Sequence, residues 1–398
     1  MIDFINLPED VLYIIDTLRS NGHRADIVGG SVRNALLSLP VEDYDLTTDA
    51  KPQRIKEIFS HLKTIDTGIK HGTVTLLVGG KSYEITTYRL DGDYLDNRHP
   101  DSVCFTSDLS LDLERRDFTV NAMCYNPYDG FTDLFSGLEH LEKKLIVAVG
   151  DPRRRFDEDA LRILRALRFS SSLGFEIERE TASAIFEKTA LLKNVAPERI
   201  FSELSKLFAG KGAYSVFEKY ESVITFLIPE LSSLALPCEG EFLSASAQIR
   251  MLSLFAPLGA DAAKAFDSFC RRLRTDNRFR MRGNAALGAL LALDFSSVTS
   301  VLFMLKDHGV EATEDALSLA ILLGSLPAQK RSLLADALES GIPYSLKSLS
   351  LGGSDLIPLG FRGESCGREL NALLCAVIKG EVENRKDLLL EYLSAKHK

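Results

Sequence analysis

Two aspartates lie one residue apart in the segment VEDYDLTT, which spans residues 41–48. If this segment is extended, alternate side chains point to opposite faces, so Asp43 and Asp45 share one face and Tyr44 points to the other. Two ionised carboxylates about 4 Å apart repel each other by about 4 kcal/mol at an effective dielectric constant of about 20. A divalent cation removes that repulsion, and Mg²⁺ is typically held by one or two carboxylates together with water and substrate phosphate. The pair therefore predicts phosphate chemistry, with Asp43 and Asp45 as catalytic residues and as Mg²⁺ ligands.

A glycine pair and an arginine precede the aspartates in the segment GGSVRN, residues 29–34. Gly29 and Gly30 would let the backbone approach a phosphate closely, and Arg33 would bind phosphate oxygens with its forked guanidinium. The segment lacks the G-K-[ST] of a Walker A loop and the G-x-G-x-x-G of a dinucleotide-binding loop. It predicts a site for the triphosphate of a nucleotide; the alternative is a plain turn between a strand and a helix.

A third acid, Glu84, lies in the strand-like run YEITTYR, residues 83–89. A two-metal phosphoryl transfer uses such an acid to help position and deprotonate an attacking hydroxyl. We therefore predict a catalytic role for Glu84. The alternative is an exposed polar residue on an edge strand.

Short β-rich runs alternate with helical runs over residues 1 to about 145. Period-two alternation and β-branched content predict the strands, and a period near 3.6 predicts the helices. The predicted strands are ADIVGG (25–30), DYDLTT (43–48), TVTLLVGG (73–80), YEITTYR (83–89) and FTVNAMCYN (118–126), and the predicted helices between them are VRNALLS (32–38) and PQRIKEIFSHL (52–62). This part of the chain is expected to be α+β.

From about residue 155 onward the strand pattern disappears, and apolar residues recur at helical spacing. A passage rich in Gly, Ser and Pro, residues 340–363, marks a boundary before a last helical unit. We expect everything after the first part to be all-α.

Composition limits the class of protein. With 398 residues and 45% hydrophobic content, the chain is expected to form more than one domain with a large core. No apolar run approaches the roughly 18 residues that span a bilayer, and the N-terminus lacks a signal segment, so we expect a cytoplasmic protein without a membrane partner. The six cysteines form no C-x-x-C pair, which favours neither a zinc site nor a disulfide framework.

Two arginine-rich segments interrupt an acidic background of net charge −9. They span residues 151–169 and 270–282. That net charge disfavours a protein that coats nucleic acid indiscriminately, but local basic patches would still bind RNA. The alternative for each segment is a solvated helix face.

Several motifs in fixed order carry a resemblance to a known family. They are VGGSVRNALL (28–37), EDYDLTT (42–48), GIKHGTVTLL (68–77), YEITTYR (83–89), RHPDSVCF (98–105), LERRDFTVNAM (113–123), DLFSGLEHLEKKLIVAVGDPRRRFDEDALRILRALRFSSSLGFEIE (133–178) and ERIFSELSKL (198–207). Together they resemble the class II tRNA nucleotidyltransferases, the CCA-adding enzymes, which share ancestry with bacterial poly(A) polymerases. The resemblance is close from about residue 25 to about residue 210 and returns in GGSDLIPLGFRGESCGRELNALL (352–374).

The resemblance implies a polymerase-β-like nucleotidyltransferase head with a small mixed or antiparallel sheet, followed by an all-α neck, body and tail. The expected boundaries are 1–145 for the catalytic head, 146–210 for the neck, 211–340 for the body and 341–398 for the tRNA-binding tail. It also implies that Gly30 and Arg33 hold the triphosphate and that Arg116 and Asp117 lie beside the nucleotide. Asn34 departs from the family, which usually has Asp there; Asn keeps the acceptor oxygen but loses the charge.

The segment EDALR, residues 158–162, predicts recognition of the base. Ala160, Ile163, Leu164 and Leu167 would bury one side of a helix, leaving Asp159, Arg162, Arg165 and Arg168 on another side. Cytosine and adenine each present an amine donor beside a ring-nitrogen acceptor, which a carboxylate and a guanidinium complement. The resemblance assigns this role to Asp159 and Arg162; Arg165 and Arg168 would face the triphosphate or the RNA end. The alternative is an i, i+3 salt bridge on a surface helix.

These expectations combine into one reaction, in which CTP and ATP extend the 3′ end of tRNA by CCA with release of pyrophosphate. The alternatives are an A-adding or CC-adding specialist, a poly(A) polymerase, and an inactive tRNA-binding module. The linker at residues 89–103 is interpreted either as a mobile loop that helps the switch from C to A or as a plain surface connection. No obligate protein partner is implied.

Overall fold

The computed structural model describes residues 6–66, 68–92 and 103–397. The chain forms two compact units, Met1–Leu227 and Ile228–Lys398. In the described part of the chain, no helix is long and apolar enough to cross a membrane.

The strands all lie in the first unit of the described chain. Their bounds are β1 Ala25–Val28, β2 Asp45–Thr48, β3 Lys63–Ile65, β4 Thr73–Val78, β5 Lys81–Thr87, β6 Arg89–Asp91, β7 Val103–Phe105, β8 Met123–Asn126, β9 Gly130–Asp133, β10 Leu145–Ile146 and β11 Glu176–Ile177. The main sheet has the order β3-β4-β5-β2-β1-β8-β9. Its pairings are antiparallel except that of β2 with β5, which is parallel, so the sheet is mixed. Four of the five predicted strand runs each contain one of these strands, and the fifth, residues 83–89, overlaps β5 and reaches the first residue of β6.

The first unit also contains eleven α-helices among its described residues. They are α1 Glu9–Ser20, α2 Gly30–Leu36, α3 Pro52–Ile58, α4 Leu109–Glu114, α5 Gly137–Glu142, α6 Pro152–Glu158, α7 Leu161–Leu173, α8 Arg179–Lys188, α9 Pro197–Ala209, α10 Ala213–Lys219 and α11 Glu221–Leu227. Fully buried residues such as Ile27, Leu46 and Ile85 form one core under the main sheet with Ile14 and Ile15 of α1. That core fixes the sheet that carries the predicted site.

The second unit is helical throughout its described residues. Its helices are α12 Glu239–Ser244, α13 Ala247–Phe255, α14 Ala262–Arg272, α15 Asn277–Leu291, α16 Val298–His308, α17 Val310–Leu322, α18 Arg331–Glu339, α19 Gly353–Leu356, α20 Glu364–Ile378 and α21 Lys386–Lys396. One core joins α16, α17, α18, α20 and α21 through residues such as Leu302, Leu317, Leu374 and Leu389. The α+β class with a mixed sheet in the head and helices after it is therefore confirmed.

Two details differ from the sequence prediction. Strand β11 lies beyond residue 155, where no strand was expected; it has two residues and pairs in parallel with β10. A strand of two residues is too short to show an alternation pattern in the sequence. Only its pairing with β10 defines it as a strand. The second difference is a break between α6 and α7, described with the site below.

Two glycines of α15 give a matched test of the packing in the second unit. A Cβ on Gly283 would lie 2.2 Å from Cε1 of the fully buried Phe266, whereas a Cβ on Gly288 would meet nothing within 4 Å. We expect Gly283→Ala to lower the free energy of unfolding by about 1–3 kcal/mol through overpacking. Gly288→Ala should raise that free energy by about 0.5–1 kcal/mol, because alanine restricts the unfolded chain. Thermal and urea unfolding of the two variants measures both effects, and equal shifts of the same sign would contradict the packing described here.

Candidate active site

A cavity of about 750 Å³ in the first unit collects most of the predicted site residues. Its lining includes Gly29, Gly30, Arg33, Asp43, Asp45, Arg116, Asp117, Arg165 and Arg168. These residues range in sequence from Gly29 to Arg168, so the fold brings distant segments of the chain together. The cavity therefore combines an acidic edge with a group of cations.

The acidic edge is the aspartate pair. Asp45 is the first residue of β2, while Asp43 precedes the strand; both side chains line the cavity, and Tyr44 packs against the core of the sheet. Burial raises the pKa of Asp45; Arg116 opposes that rise and the nearby Asp43 adds to it. Holding a second negative charge beside Asp43 is thus unfavourable without a cation.

The pair fits a divalent metal ion that takes part of its coordination from a substrate. Both ligands are hard carboxylate oxygens, and their mutual repulsion is what a cation would relieve. Across residues 6–66, 68–92 and 103–397, no group of three or more His, Cys, Asp or Glu side chains lies close enough together to hold a metal ion. The further ligands would have to be phosphate and water oxygens.

Glu84 lies beside the pair but faces a neighbouring cavity. On β5 it pairs in parallel register with Asp45 of β2, and the two acids line a cavity of about 230 Å³ together with Arg116. Burial, then Asp45, then Asp43 raise the pKa of Glu84. The three acids therefore share one electrostatic environment.

Gly29 needs the conformation that only glycine adopts readily. Its φ is +76°, and a Cβ there would lie 3.3 Å from Nη1 of Arg116. The turn leads directly into α2, which carries Arg33. The glycine thus allows β1, Arg33 and Arg116 to converge on the cavity.

Arg33 is buried, with 9% of its surface exposed. It donates from Nε and Nη2 to Oδ1 of Asn34, at 3.2 and 2.9 Å, and from Nη1 to Oδ1 of Asn121. Burial, with a contribution from Arg168, lowers the pKa of Arg33 to about 10. It remains a cation at neutral pH, held by neutral amides.

Asp117 and Arg165 form an ion pair in the wall of the cavity. Arg165 Nε donates to Oδ2 of Asp117 at 2.7 Å, and Asn121 donates to its Oδ1. Burial by itself would raise the pKa of Asp117, but Arg165 and these hydrogen bonds outweigh it and lower the pKa to about 2. Asp117 is therefore a fixed anion that orients Arg165.

Arg116 is positioned by Asp112, a buried acid that the sequence analysis missed. Asp112 accepts from Arg115 at 2.6 Å, from Arg116 at 3.3 Å and from the Thr47 hydroxyl at 3.1 Å. Since Thr47 lies two residues after Asp45, this carboxylate connects the strand of the aspartate pair to Arg116. An acid on a short amphipathic helix gives no signal of that role in the sequence.

Asp159 and Arg162 line an adjoining cavity of about 250 Å³ with Arg116 and Asp117. The apolar spacing predicts one continuous helix that carries both Asp159 and Arg162, and this prediction is wrong. Asp159 lies between α6 and α7 in an extended conformation, with φ −139° and ψ 103°, and its Oδ1 accepts from the backbone N–H of Leu161. The break contains no proline or glycine. The local hydrogen bond from Leu161 to the Asp159 side chain instead favours a non-helical conformation there.

The i, i+3 salt bridge between Asp159 and Arg162 does not form. Asp159 pairs instead with Arg199 of α9 at 2.9 Å, and Arg162 pairs with Glu158 at 2.7 Å. Arg162 also donates to the backbone carbonyls of Arg155 and Arg115. Arg199 is not among the predicted site residues, although it lies in the family-like segment ERIFSELSKL, residues 198–207.

Comparisons with known proteins identify the family of this chain. A family model described as "Poly A polymerase head domain" matches residues 25–147, and one described as "Probable RNA and SrmB- binding site of polymerase A" matches residues 174–234. The CCA-adding enzyme of Lactobacillus delbrueckii subsp. bulgaricus is 37% identical over 390 residues, which cover 96% of each chain. The chain belongs to the CCA-adding enzyme family. Membership implies a requirement for a divalent metal ion.

Solved structures of the family support the same fold. The Bacillus stearothermophilus CCA-adding enzyme in complex with CTP has a TM-score of 0.85 and 31% identity, covering 98% of this chain and 97% of that one. The Thermotoga maritima CCA-adding enzyme complexed with tRNA_CCA has a TM-score of 0.66 at 20% identity, covering 98% and 96%. The second comparison bears on the fold alone.

Asn34, where the resemblance leads us to expect Asp, makes defined contacts in the structure. Its Oδ1 accepts two hydrogen bonds from Arg33, and its Nδ2 donates to the carbonyl oxygen of Pro40 at 3.2 Å. An aspartate would keep the first contact and charge it, but would lose the donor to Pro40. Asn34 thereby leaves the charge of Arg33 uncancelled and ties α2 to the loop that leads to Asp43.

The second arginine-rich segment, residues 270–282, belongs to the second unit and is largely paired there. Arg271 and Arg280 pair with Asp267, Arg272 with Glu230, and Arg282 with Asp315. These pairs favour the interpretation of a solvated, self-compensated face for most of the segment. The loop predicted within residues 89–103 has its central part, residues 93–102, outside the described residues, so its role stays a prediction.

Asn34→Asp tests whether the absence of a negative charge at position 34 matters for the charge of Arg33. The new carboxylate would neutralise Arg33, so we expect the KM for both CTP and ATP to rise by about twofold to about tenfold with a smaller change in kcat. Steady-state kinetics of nucleotide addition measures the split. Asn34→Ala is the control, because it removes the hydrogen bonds without adding charge; an equal rise in KM for both variants would contradict the role of the charge.

Proposed function

We propose that this chain adds CCA to the 3′ end of tRNA from CTP and ATP at the cavity described above, with release of pyrophosphate. The observation that carries the proposal is the shared cavity itself: the aspartate pair of β2, the glycine turn with Arg33, and Arg165 and Arg168 of α7 all line it. That combination suits one reaction class, in which a triphosphate is held by cations next to two metal-binding carboxylates. The full-length similarity to CCA-adding enzymes supplies the substrate class.

The proposed reaction is an in-line attack by the RNA 3′-hydroxyl on the α-phosphorus of the nucleotide. Mg²⁺ held by Asp43 and Asp45 would neutralise charge on the reacting phosphate oxygens. Arg33, Arg165 and Arg168 bind the β- and γ-phosphates and so orient the leaving pyrophosphate. Glu84 lies close enough to the pair to influence the attacking hydroxyl.

Base selection is assigned to Asp159 and Arg162. Each carboxylate oxygen of Asp159 accepts one hydrogen bond from the protein, from Leu161 or from Arg199, and each has a second lone pair for an exocyclic amine. Arg162 uses three of its five N–H groups on Glu158, Arg155 and Arg115. Its remaining donors suit the ring nitrogen of cytosine or adenine. Arg116 and Asp117 line both cavities and would lie between the base and the triphosphate.

The remaining assignments follow the same proposal. Residues 1–145 would be the catalytic head, 146–210 the neck that selects the base, 211–340 the body and 341–398 the tRNA-binding tail. The metal is assigned as Mg²⁺, because small oxygen-rich sites that share a substrate phosphate suit that ion. The site of action is assigned to the cytoplasm.

One assay separates this activity from its alternatives. Three transcripts of one tRNA, ending before CCA, after C and after CC, are incubated with CTP, ATP, both, or UTP or GTP. We expect completion of CCA on all three when CTP and ATP are both present. Addition of A to the CC-ended transcript alone would instead indicate an A-adding specialist, and addition of C without A would indicate a CC-adding specialist. Long A tails on unrelated RNA would indicate a poly(A) polymerase, an activity that the description of the first family model keeps as a candidate. Tight binding without extension would indicate an inactive tRNA-binding module.

Asp43→Ala and Asp45→Ala test the metal site. Each substitution removes a proposed metal ligand, so we expect incorporation to fall by at least about a thousandfold. Filter binding should show tRNA affinity within about threefold of the unmodified protein, because the RNA contacts depend on other surfaces. Glu42→Ala is the matched control, since Glu42 is exposed and lines the same cavity. Equal loss of incorporation and of tRNA affinity would refute the separation of the two roles.

Asp159→Ala tests base selection. Loss of the carboxylate should weaken rejection of UTP relative to CTP by about fivefold to about 150-fold, which corresponds to about 1–3 kcal/mol of discrimination. Single-nucleotide addition to a transcript lacking CCA measures the ratio. The control is Asp157→Ala, which removes an exposed aspartate that pairs with Lys188. Unchanged rejection of UTP in Asp159→Ala would remove the edge-recognition role.

A further inference from the structure

Three guanidinium groups surround one aromatic ring in the wall of the large cavity. The Cζ atoms of Arg168, Arg33 and Arg165 lie 3.7, 5.0 and 5.4 Å from the ring centroid of Phe169. All three distances fall within the range of about 6 Å over which a cation is attracted to the face of an aromatic ring. Phe169 is 5% exposed and lines the cavity with these same arginines.

The three arginines are held together against their mutual repulsion. Arg165 pairs with Asp117 and Arg168 pairs with Glu203, at 2.6 and 2.5 Å. Arg33 donates to neutral amides, and the proximity of Arg168 and Arg165 contributes to the lowering of its pKa. The group therefore carries more positive charge than its two carboxylate partners compensate. The negative face of the Phe169 ring is the feature that all three cations share.

The ring itself is fixed from the core side. Fully buried Phe118 contacts it in a T-shaped arrangement, with ring centroids 5.8 Å apart and an interplanar angle of 80°. Phe118 follows Asp117 in the chain, and Phe169 follows Arg168. The aromatic pair thus connects the segment that carries Asp117 to the helix that carries Arg165 and Arg168, and it leaves the rotation of the Phe169 ring little freedom.

We propose that Phe169 is a positioning residue for the triphosphate: its ring face holds the guanidinium groups of Arg33, Arg165 and Arg168 in the array that binds the phosphates, without touching the substrate itself. This inference rests on the proposed function, because it assigns the three arginines to the triphosphate. A purely structural role would instead require only an apolar side chain of similar size. The two roles differ in what a flat aromatic face contributes.

Phe169→Leu and Phe169→Tyr separate these roles. Leucine keeps an apolar side chain but has no ring face, so the arginines would lose their shared anchor. We expect the KM for CTP and for ATP to rise by about fivefold to about twentyfold in Phe169→Leu, with kcat changed by less than about twofold. Phe169→Tyr retains the face and should restore both KM values to within about twofold of the unmodified protein.

Binding of inorganic pyrophosphate provides a readout that does not depend on the base or on turnover. Isothermal titration of the full chain with pyrophosphate should show a weakening in Phe169→Leu that parallels the rise in KM, and affinity close to the unmodified protein in Phe169→Tyr. Phe217→Leu is the matched control: Phe217 is a fully buried ring of the same unit, packed on Phe208 at 4.7 Å. It should lower the melting temperature without changing the KM or pyrophosphate affinity.

Three results would overturn the inference. They are an unchanged KM and pyrophosphate affinity in Phe169→Leu, an equal defect in Phe169→Tyr, or an equal rise in KM in Phe217→Leu. Each of these results is obtained by comparison with an unmodified protein that completes CCA on tRNA. Such a result would therefore contradict the role of Phe169 without contradicting the proposed function. Failure of the unmodified protein to extend any transcript would instead overturn the proposed function, and pyrophosphate titration would still report whether Phe169 organises an anion site.

Discussion

Confinement of like charges in one cavity is the physical constraint on which the rest of the first unit depends. On one side, Asp43 and Asp45 place two carboxylates together, and on the other side Arg33, Arg165 and Arg168 place three guanidiniums together. Neither group is favourable alone, because partial burial strengthens repulsion as well as attraction. Fixed counter-charges and a ring face hold the cations in place, while the acids have a raised pKa at Asp45 that a cation would lower.

Buried anions in and around the cavity provide much of that organisation. Asp112, Asp117 and Glu203 are each less than 9% exposed, and each holds an arginine that reaches the cavity or its edge. An unpaired buried carboxylate would be costly, so each of these acids and its arginine are mutually required. Asp112 adds a hydrogen bond to Thr47 on β2, which makes the strand of the aspartate pair and the segment that carries Arg116 parts of one network.

The break at Asp159 explains how one carboxylate can have a structural role and still be available for the proposed base selection. An extended conformation between α6 and α7 removes Asp159 from the regular helix and turns its side chain toward the second cavity, where Arg199 holds it. Arg162, on α7, lines the same cavity while Glu158 and two carbonyls orient it. Asp159 and Arg162 are therefore each oriented by partners outside the pair, so in the proposed role little conformational entropy would be lost when a nucleotide binds.

Local sequence patterns determined a large part of this protein. Alternation and β-branched content predicted β1, β2, β4, β5 and β8. Burial alternates along much of β4 and β5, whereas every residue of β1 and β8 is buried. Gly29 indicated a special turn because a φ of +76° disfavours any side chain. The spacing alone predicted that the side chains of Asp43 and Asp45 lie on the same face, since successive side chains of an extended segment point to opposite faces. Only the tertiary structure decided which residues that are far apart in sequence come into contact. Parallel pairing places Glu84 beside Asp45, and Arg199 pairs with Asp159. Arg33, Arg165 and Arg168 converge on Phe169. Those contacts depend on sheet register and helix packing, which are properties of the whole core and leave no periodic signal in a single segment.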